Sequence, residues 1–244
     1  MVELAGQVAI VTGATSGIGT ALARALDARG VRLVLTGRRA DRLEALAAEL
    51  GELGQPRTVA GDITDPALPA RLVEAALETH GRLDIACNNA GLLAFGLIED
   101  IDLERMATMV RVNVEAAYRF AYTVLRHFKA QNRGHLVNTS SVAGTKVRPT
   151  IGAYAGTKHA LEALAHSLRL ELATTDVRIS NVQPGLVATD IFAHMPEDEH
   201  PGRQQGIDQP LRPEDVARAV LFMLEQPAHV SIPTLMLKPT HQPM

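Results

Sequence analysis

Val8-Ala9-Ile10-Val11-Thr12-Gly13-Ala14-Thr15-Ser16-Gly17-Ile18-Gly19 is the stretch on which the fold turns. Val8–Thr12 is a continuous run of apolar and β-branched residues, the pattern of a strand covered on both faces. Beyond the glycines, Ile18, Ala21, Leu22, Ala25 and Leu26 recur at three and four residues, so a helix is expected over Gly17–Arg29. Between strand and helix, missing side chains let backbone approach a pyrophosphate, and the helix start offers free N–H groups and a positive dipole end. Glycines also serve in ordinary tight turns, but the strand–turn–helix order favours dinucleotide binding. The spacing is Gly-x-x-x-Gly-x-Gly, and Gly13, Thr15, Ser16, Gly17, Ile18 and Gly19 are the candidate contacts.

Outward from this unit the pattern repeats. Strands are expected at Val31–Thr36, Arg57–Ala60, Leu83–Cys87, His135–Thr139, Val177–Gln183 and Pro233–Leu237. Helices are expected at Arg39–Leu50, Pro66–His80, Leu103–Gln131, Ala153–Thr174 and Pro213–Glu225, with Gly30 and Gly51 as stops. Repeated strand–helix alternation means an α/β protein: a three-layer, doubly wound sandwich of Rossmann type around a seven-stranded, mostly parallel sheet. No composition break divides residues 1–244, which are read as one domain. The polar stretch 188–211 is expected to be a substrate lid, although a plain surface loop would look similar.

Composition narrows the function. Of 244 residues, 46% are hydrophobic, 21% charged and 3% aromatic, with no Trp, so core and pocket must be mainly aliphatic. A net charge of −3 argues against a nucleic-acid surface. The single cysteine, Cys87, excludes an intrachain disulfide and a thiolate metal site, and the histidines lack ligand spacing; no metal is expected. No secretory signal and no apolar run of about 20 residues are visible, so a soluble, cytoplasmic protein away from membranes is expected.

The second strand ends in Gly37-Arg38-Arg39. An acidic residue there would grip a ribose 2′-hydroxyl, whereas an arginine suits a 2′-phosphate. NADP(H) is therefore expected over NAD(H), with one of Arg38 and Arg39 left as a solvated helix start. Tyr154 and Lys158 lie four residues apart, one turn along a helix. A phenol with a pKa near 10 is a poor acid–base catalyst at neutral pH, and an adjacent ammonium is expected to lower it.

Taken together, Thr12–Gly19, Asp62, Asn88-Asn89-Ala90-Gly91, Asn113, Ser140-Ser141, Tyr154–Lys158 and Pro184-Gly185 followed by Thr189 resemble the short-chain dehydrogenase/reductases in order and spacing, over nearly the whole chain. The resemblance implies a role for each. Tyr154 would be the general acid or base. Lys158 would lower its pKa and hold the nicotinamide ribose. Ser141, 13 residues before Tyr154, would hydrogen-bond the substrate oxygen. Asn113, inside an apolar helix, would support a water-mediated proton relay to Lys158, or would simply kink the helix. Asp62 and Ile63 would meet adenine. Asn89 would brace the central strand and line the cofactor site. Pro184, Val187 and Thr189 would fix the nicotinamide carboxamide.

Leu92, Leu93, Phe95, Val147, Ile151, Leu186, Ile191, Phe192 and Met195 should surround the nicotinamide, with Leu93, Phe95, Ile191 and Phe192 joining Ser141 and Tyr154 as substrate contacts. Their apolar character favours a hydrophobic ketone or aldehyde and its alcohol over a charged substrate, Arg148 being an exception. The implied activity is NADP(H)-dependent oxidoreduction of such a small molecule. One alternative is a 3-oxoacyl thioester reductase, which would want a basic patch for a carrier protein. Another is a dinucleotide sensor without turnover. The family also implies a homo-oligomer, dimer or tetramer, although the ending Leu235–Met244 departs from the Val-Asp-Gly-Gly close of many members.

Overall fold

A computed structural model describes residues 3–50, 56–193, 202 and 206–243. Gly51, Met195 and nearly half of the expected lid (194–201 and 203–205) lie outside the described residues. Seven strands form one sheet in the order β3-β2-β1-β4-β5-β6-β7. They are β1 Val8–Thr12, β2 Arg32–Gly37, β3 Arg57–Ala60, β4 Ile85–Asn88, β5 Gly134–Thr139, β6 Val177–Pro184 and β7 Thr234–Leu237. Every neighbouring pair is parallel.

The continuous apolar strands follow from burial on both faces. In β1, Ala9 and Val11 join one core while Val8 and Ile10 join the other. In β2, Leu33 and Leu35 face the first core and Val34 the second. Helices α1 (Gly17–Asp27) and α2 (Ala40–Glu49) cover the first side. The second is covered by α3 (Leu68–His80), α5 (Ala117–Gln131) and α6 (Gly152–Glu171), whose Phe120 and Phe128 are fully buried. Helix α7 (Pro213–Leu224) returns to pack on α1.

The expected helix Leu103–Gln131 is continuous but not uniform. It begins as α4 (Leu103–Val110), becomes a π-helical turn over Arg111–Ala116, and resumes as α5. Asp102 caps its start, accepting from the Arg105 N–H at 2.9 Å. The chain order reverses between β1 and β4, and the carboxyl ends of the strands there open into a cleft. Among the described residues, no helix is long and apolar enough to cross a membrane.

Candidate active site

The cleft has a volume of about 670 Å³ and runs from the β1–α1 turn to the start of α6. At one end, Ser16 precedes α1 without a side-chain cap, leaving first-turn N–H groups for an anion. Gly17 has φ +48°, and a Cβ there would come within 2.7 Å of the Thr189 side chain. Gly19 lies behind the turn rather than on the cleft wall; a Cβ on it would strike the Gly13 carbonyl. The bare backbone, the free helix start and the cleft volume fit a dinucleotide. Thr15, Ser16, Ile18, Ile63, Pro184, Val187 and Thr189 line the same cleft.

The two arginines divide their work. Arg39 donates from Nη2 to the Thr15 carbonyl at 2.8 Å, bracing the glycine-rich turn. Arg38 is exposed on the cleft wall beside Asp62. The Asp62 carboxylate accepts from the Thr64 backbone N–H (2.9 Å) and hydroxyl (2.7 Å), which, with Arg38 nearby, hold its pKa below the ordinary range.

At the other end stand Ser141, Tyr154 and Lys158. Ser141 hydrogen-bonds the Tyr154 phenol, and its Oγ accepts from the Ala143 N–H at 3.1 Å. Lys158 Nζ is 5.7 Å from the Tyr154 ring centroid and donates to the Thr139 carbonyl at 2.8 Å. The expected depression of the phenol's pKa is not found in this geometry. Burial raises it, outweighing the Ser141 hydrogen bond. Burial also pulls Lys158 down to about 8, against the pull of the Glu162 carboxylate one turn on. Low polarity penalises whichever form carries charge, so phenolate and ammonium are both disfavoured.

Asn113 lies in the π-helical turn and does not line the cleft. Its Oδ1 accepts from the Leu92 N–H at 2.8 Å, while Nδ2 donates to the Leu92 carbonyl at 2.8 Å and to Thr157 Oγ1 at 3.2 Å. It clamps the loop after β4 to α6. Asn89 lines the cleft and also braces it, donating to the Thr12 carbonyl at 3.0 Å and accepting from Thr139 Oγ1 at 3.1 Å. Leu93, Ile191 and Phe192 line the substrate end. Phe95 does not; it packs against the small cluster of Ala143, Ile151 and Ala155, beside Tyr154.

A buried amide ladder was not anticipated. Asn88, Asn138 and Asn181 stand in register on β4, β5 and β6. Asn88 donates to Asn138 at 3.0 Å, Asn138 to Asn181 at 2.9 Å, and Asn181 to Glu162 Oε2 at 2.7 Å. The ladder fixes the carboxylate that opposes the loss of charge on Lys158. Only the recurrence of Asn near three strand ends could have signalled it.

Comparison with known proteins bears on this site. The family described as short chain dehydrogenase matches residues 7–200. The chain belongs to that family. An uncharacterised oxidoreductase of Staphylococcus haemolyticus (strain JCSC1435) is 35% identical over 239 residues, covering 98% of this chain and all of that protein. The alcohol dehydrogenase of the archaeon Thermococcus sibiricus, complexed with 5-hydroxy-NADP, superposes with a TM-score of 0.86 at 32% identity and 98% coverage of both chains. The closed form of a serine dehydrogenase complexed with NADP+ has a TM-score of 0.89 at 30% identity, covering 98% of this chain and 97% of that one. This short-chain dehydrogenase is thus an oxidoreductase with a Rossmann-type sheet. A nicotinamide dinucleotide cofactor is supported, since solved relatives hold NADP or NAD.

Proposed function

We propose that this dehydrogenase interconverts a hydrophobic ketone or aldehyde and its alcohol with NADP(H). The observation that carries this reading is the convergence of Ser141, Tyr154 and Lys158 at one end of a cleft whose other end is the glycine-rich turn and Arg38. A bound nicotinamide dinucleotide supplies or accepts the hydride. Tyr154 Oη gives its proton to the carbonyl oxygen as the alcohol forms, and takes it back in oxidation. Because burial raises the phenol's pKa, Tyr154 is protonated at pH 7, the form that reduction consumes. Ser141 hydrogen-bonds the same oxygen and stabilises its developing charge. The Lys158 ammonium stabilises the phenolate left behind.

Arg38, exposed and free of the structural duty that occupies Arg39, supports a 2′-phosphate contact. The apolar side chains of Leu93, Ile151, Leu186, Ile191 and Phe192 on the cleft wall support a hydrophobic substrate.

The test is a panel of apolar ketones, aldehydes and 3-oxoacyl thioesters, each with NADPH and NADH, on wild type and Tyr154→Phe. Reduction of apolar ketones with NADPH is expected, with roughly a thousandfold or greater loss in the variant and near-normal NADPH binding. Turnover that survives Tyr154→Phe removes the proton donor. NADPH binding without turnover of any compound indicates a sensor.

A further inference from the structure

The last residues of the chain are built into the cleft. Gln242 is only 7% exposed, and with Pro243 it lines the cleft wall. Its Oε1 accepts the buried Leu186 N–H at 2.9 Å. Gln242 is itself held from two sides: its N–H donates to the Pro239 carbonyl at 3.0 Å, and its carbonyl accepts from Lys238 Nζ at 2.7 Å. Gly185 records how closely tail and turn fit. A Cβ there would collide with Gln242 Oε1 and lie 2.9 Å from Lys238 Cβ.

The position that Gln242 grips matters. The Leu186 carbonyl accepts from the Leu211 N–H at 2.9 Å, and the Ala188 N–H donates to the Leu211 carbonyl at 2.8 Å. Val187 is therefore presented to the cleft between two pinned neighbours. Leu211 supplies two of the pins and Gln242 the third. A buried N–H stripped of its acceptor must relax toward another, and Val187 would move with it.

We propose that Gln242 is a positioning residue for the nicotinamide end of the cofactor, setting the Val187 backbone through its hydrogen bond to Leu186, so that the C-terminal tail is part of the active site. This rests on the proposed function for a nicotinamide at this end of the cleft, and on the family resemblance for its carboxamide beside Val187.

The test compares wild type with Gln242→Met, which keeps the side chain's length but lacks the acceptor, and Gln242→Glu, which keeps an acceptor oxygen beside the Lys238 ammonium. NADPH affinity is read by fluorescence titration of the resting protein, together with kcat, KM and thermal midpoint. In Gln242→Met, affinity is expected to fall about tenfold, as for loss of one hydrogen bond to a buried donor, and kcat to fall with it, while the thermal midpoint stays within a few degrees. Gln242→Glu is expected to recover most of both. Unchanged NADPH affinity and kcat in Gln242→Met overturn the proposal, as does equal damage by both variants. A wild type that neither binds NADPH nor reduces ketones would instead fail the proposed function, leaving the two failures distinguishable.

Discussion

Replacing Lys158 by Met should abolish turnover and yet stabilise the fold. Lys158 is 6% exposed, and burial takes its pKa from 10.5 to about 8. That fall corresponds to roughly 3 kcal/mol by which the folded state disfavours the ammonium at neutral pH. Methionine fills similar space without charge. It forfeits the hydrogen bond to the Thr139 carbonyl, which costs about 1–2 kcal/mol. The net expectation at pH 7 is a variant about 1–2 kcal/mol more stable, or about 2–8 °C in thermal midpoint for a chain of this size. The pH dependence is the sharper mark. A base whose folded pKa is depressed carries its full penalty below the folded value, and that penalty fades as pH rises from about 8 towards 10.5. At pH 9.5 roughly 1 kcal/mol of it remains, which the lost hydrogen bond cancels. Urea unfolding of both proteins at pH 7 and 9.5 measures the gap. A variant less stable at pH 7, or a gap that does not change with pH, would refute the claim that the site holds its cation against the preference of the fold.

Arg38→Ala should raise KM for NADPH by about tenfold or more while changing KM for NADH little, since only the 2′-phosphate is lost as a partner. A wild type that prefers NADH would overturn the choice of cofactor. Gly19→Ala places a methyl group on the Gly13 carbonyl and 2.8 Å from Asn89 Nδ2. Neither neighbour can move freely, so NADPH affinity by fluorescence titration should drop by roughly tenfold or more; wild-type affinity would show that the turn is not the cradle. Cys87 is buried, and its thiol is pushed up to about 12. A colorimetric thiol reagent at pH 8 should find no reactive group in the native protein and one after denaturation, and fast native labelling would mean that β4 opens.

The sheet was legible because continuous apolar runs admit few alternatives. Arg57–Ala60 lies where expected, and Val177–Gln183 gains only Pro184. The glycine turn and the Tyr154–Lys158 pair could be read because each is a fixed spacing within one element, whereas Ser141, in the turn after β5, comes only from the family resemblance. Contacts across the fold were not legible. Nothing in Gly37-Arg38-Arg39 says that the second arginine reaches back to Thr15. Asn113 could be noticed as an amide in an apolar helix, but its grip on both polar groups of Leu92 depends on a loop 21 residues away. The acidity of Tyr154 is not legible in the sequence, because a neighbouring cation can be read from spacing, whereas the depth of burial cannot.

The π-helical turn at Arg111–Ala116 has a consequence for insertions and deletions. Such a turn holds one residue more than a regular α-helix needs. Deleting a residue there would let the helix close up into regular α-turns, with the segments on either side keeping their faces, so the change would fall on the residues of the turn itself. Asn113 would be drawn out of line with Leu92, and the loop after β4 would lose its fastening to α6. A single-codon loss, which in a regular helix would turn everything beyond it by about 100°, would here be absorbed locally, at the expense of the amide that ties the loop after β4 to α6.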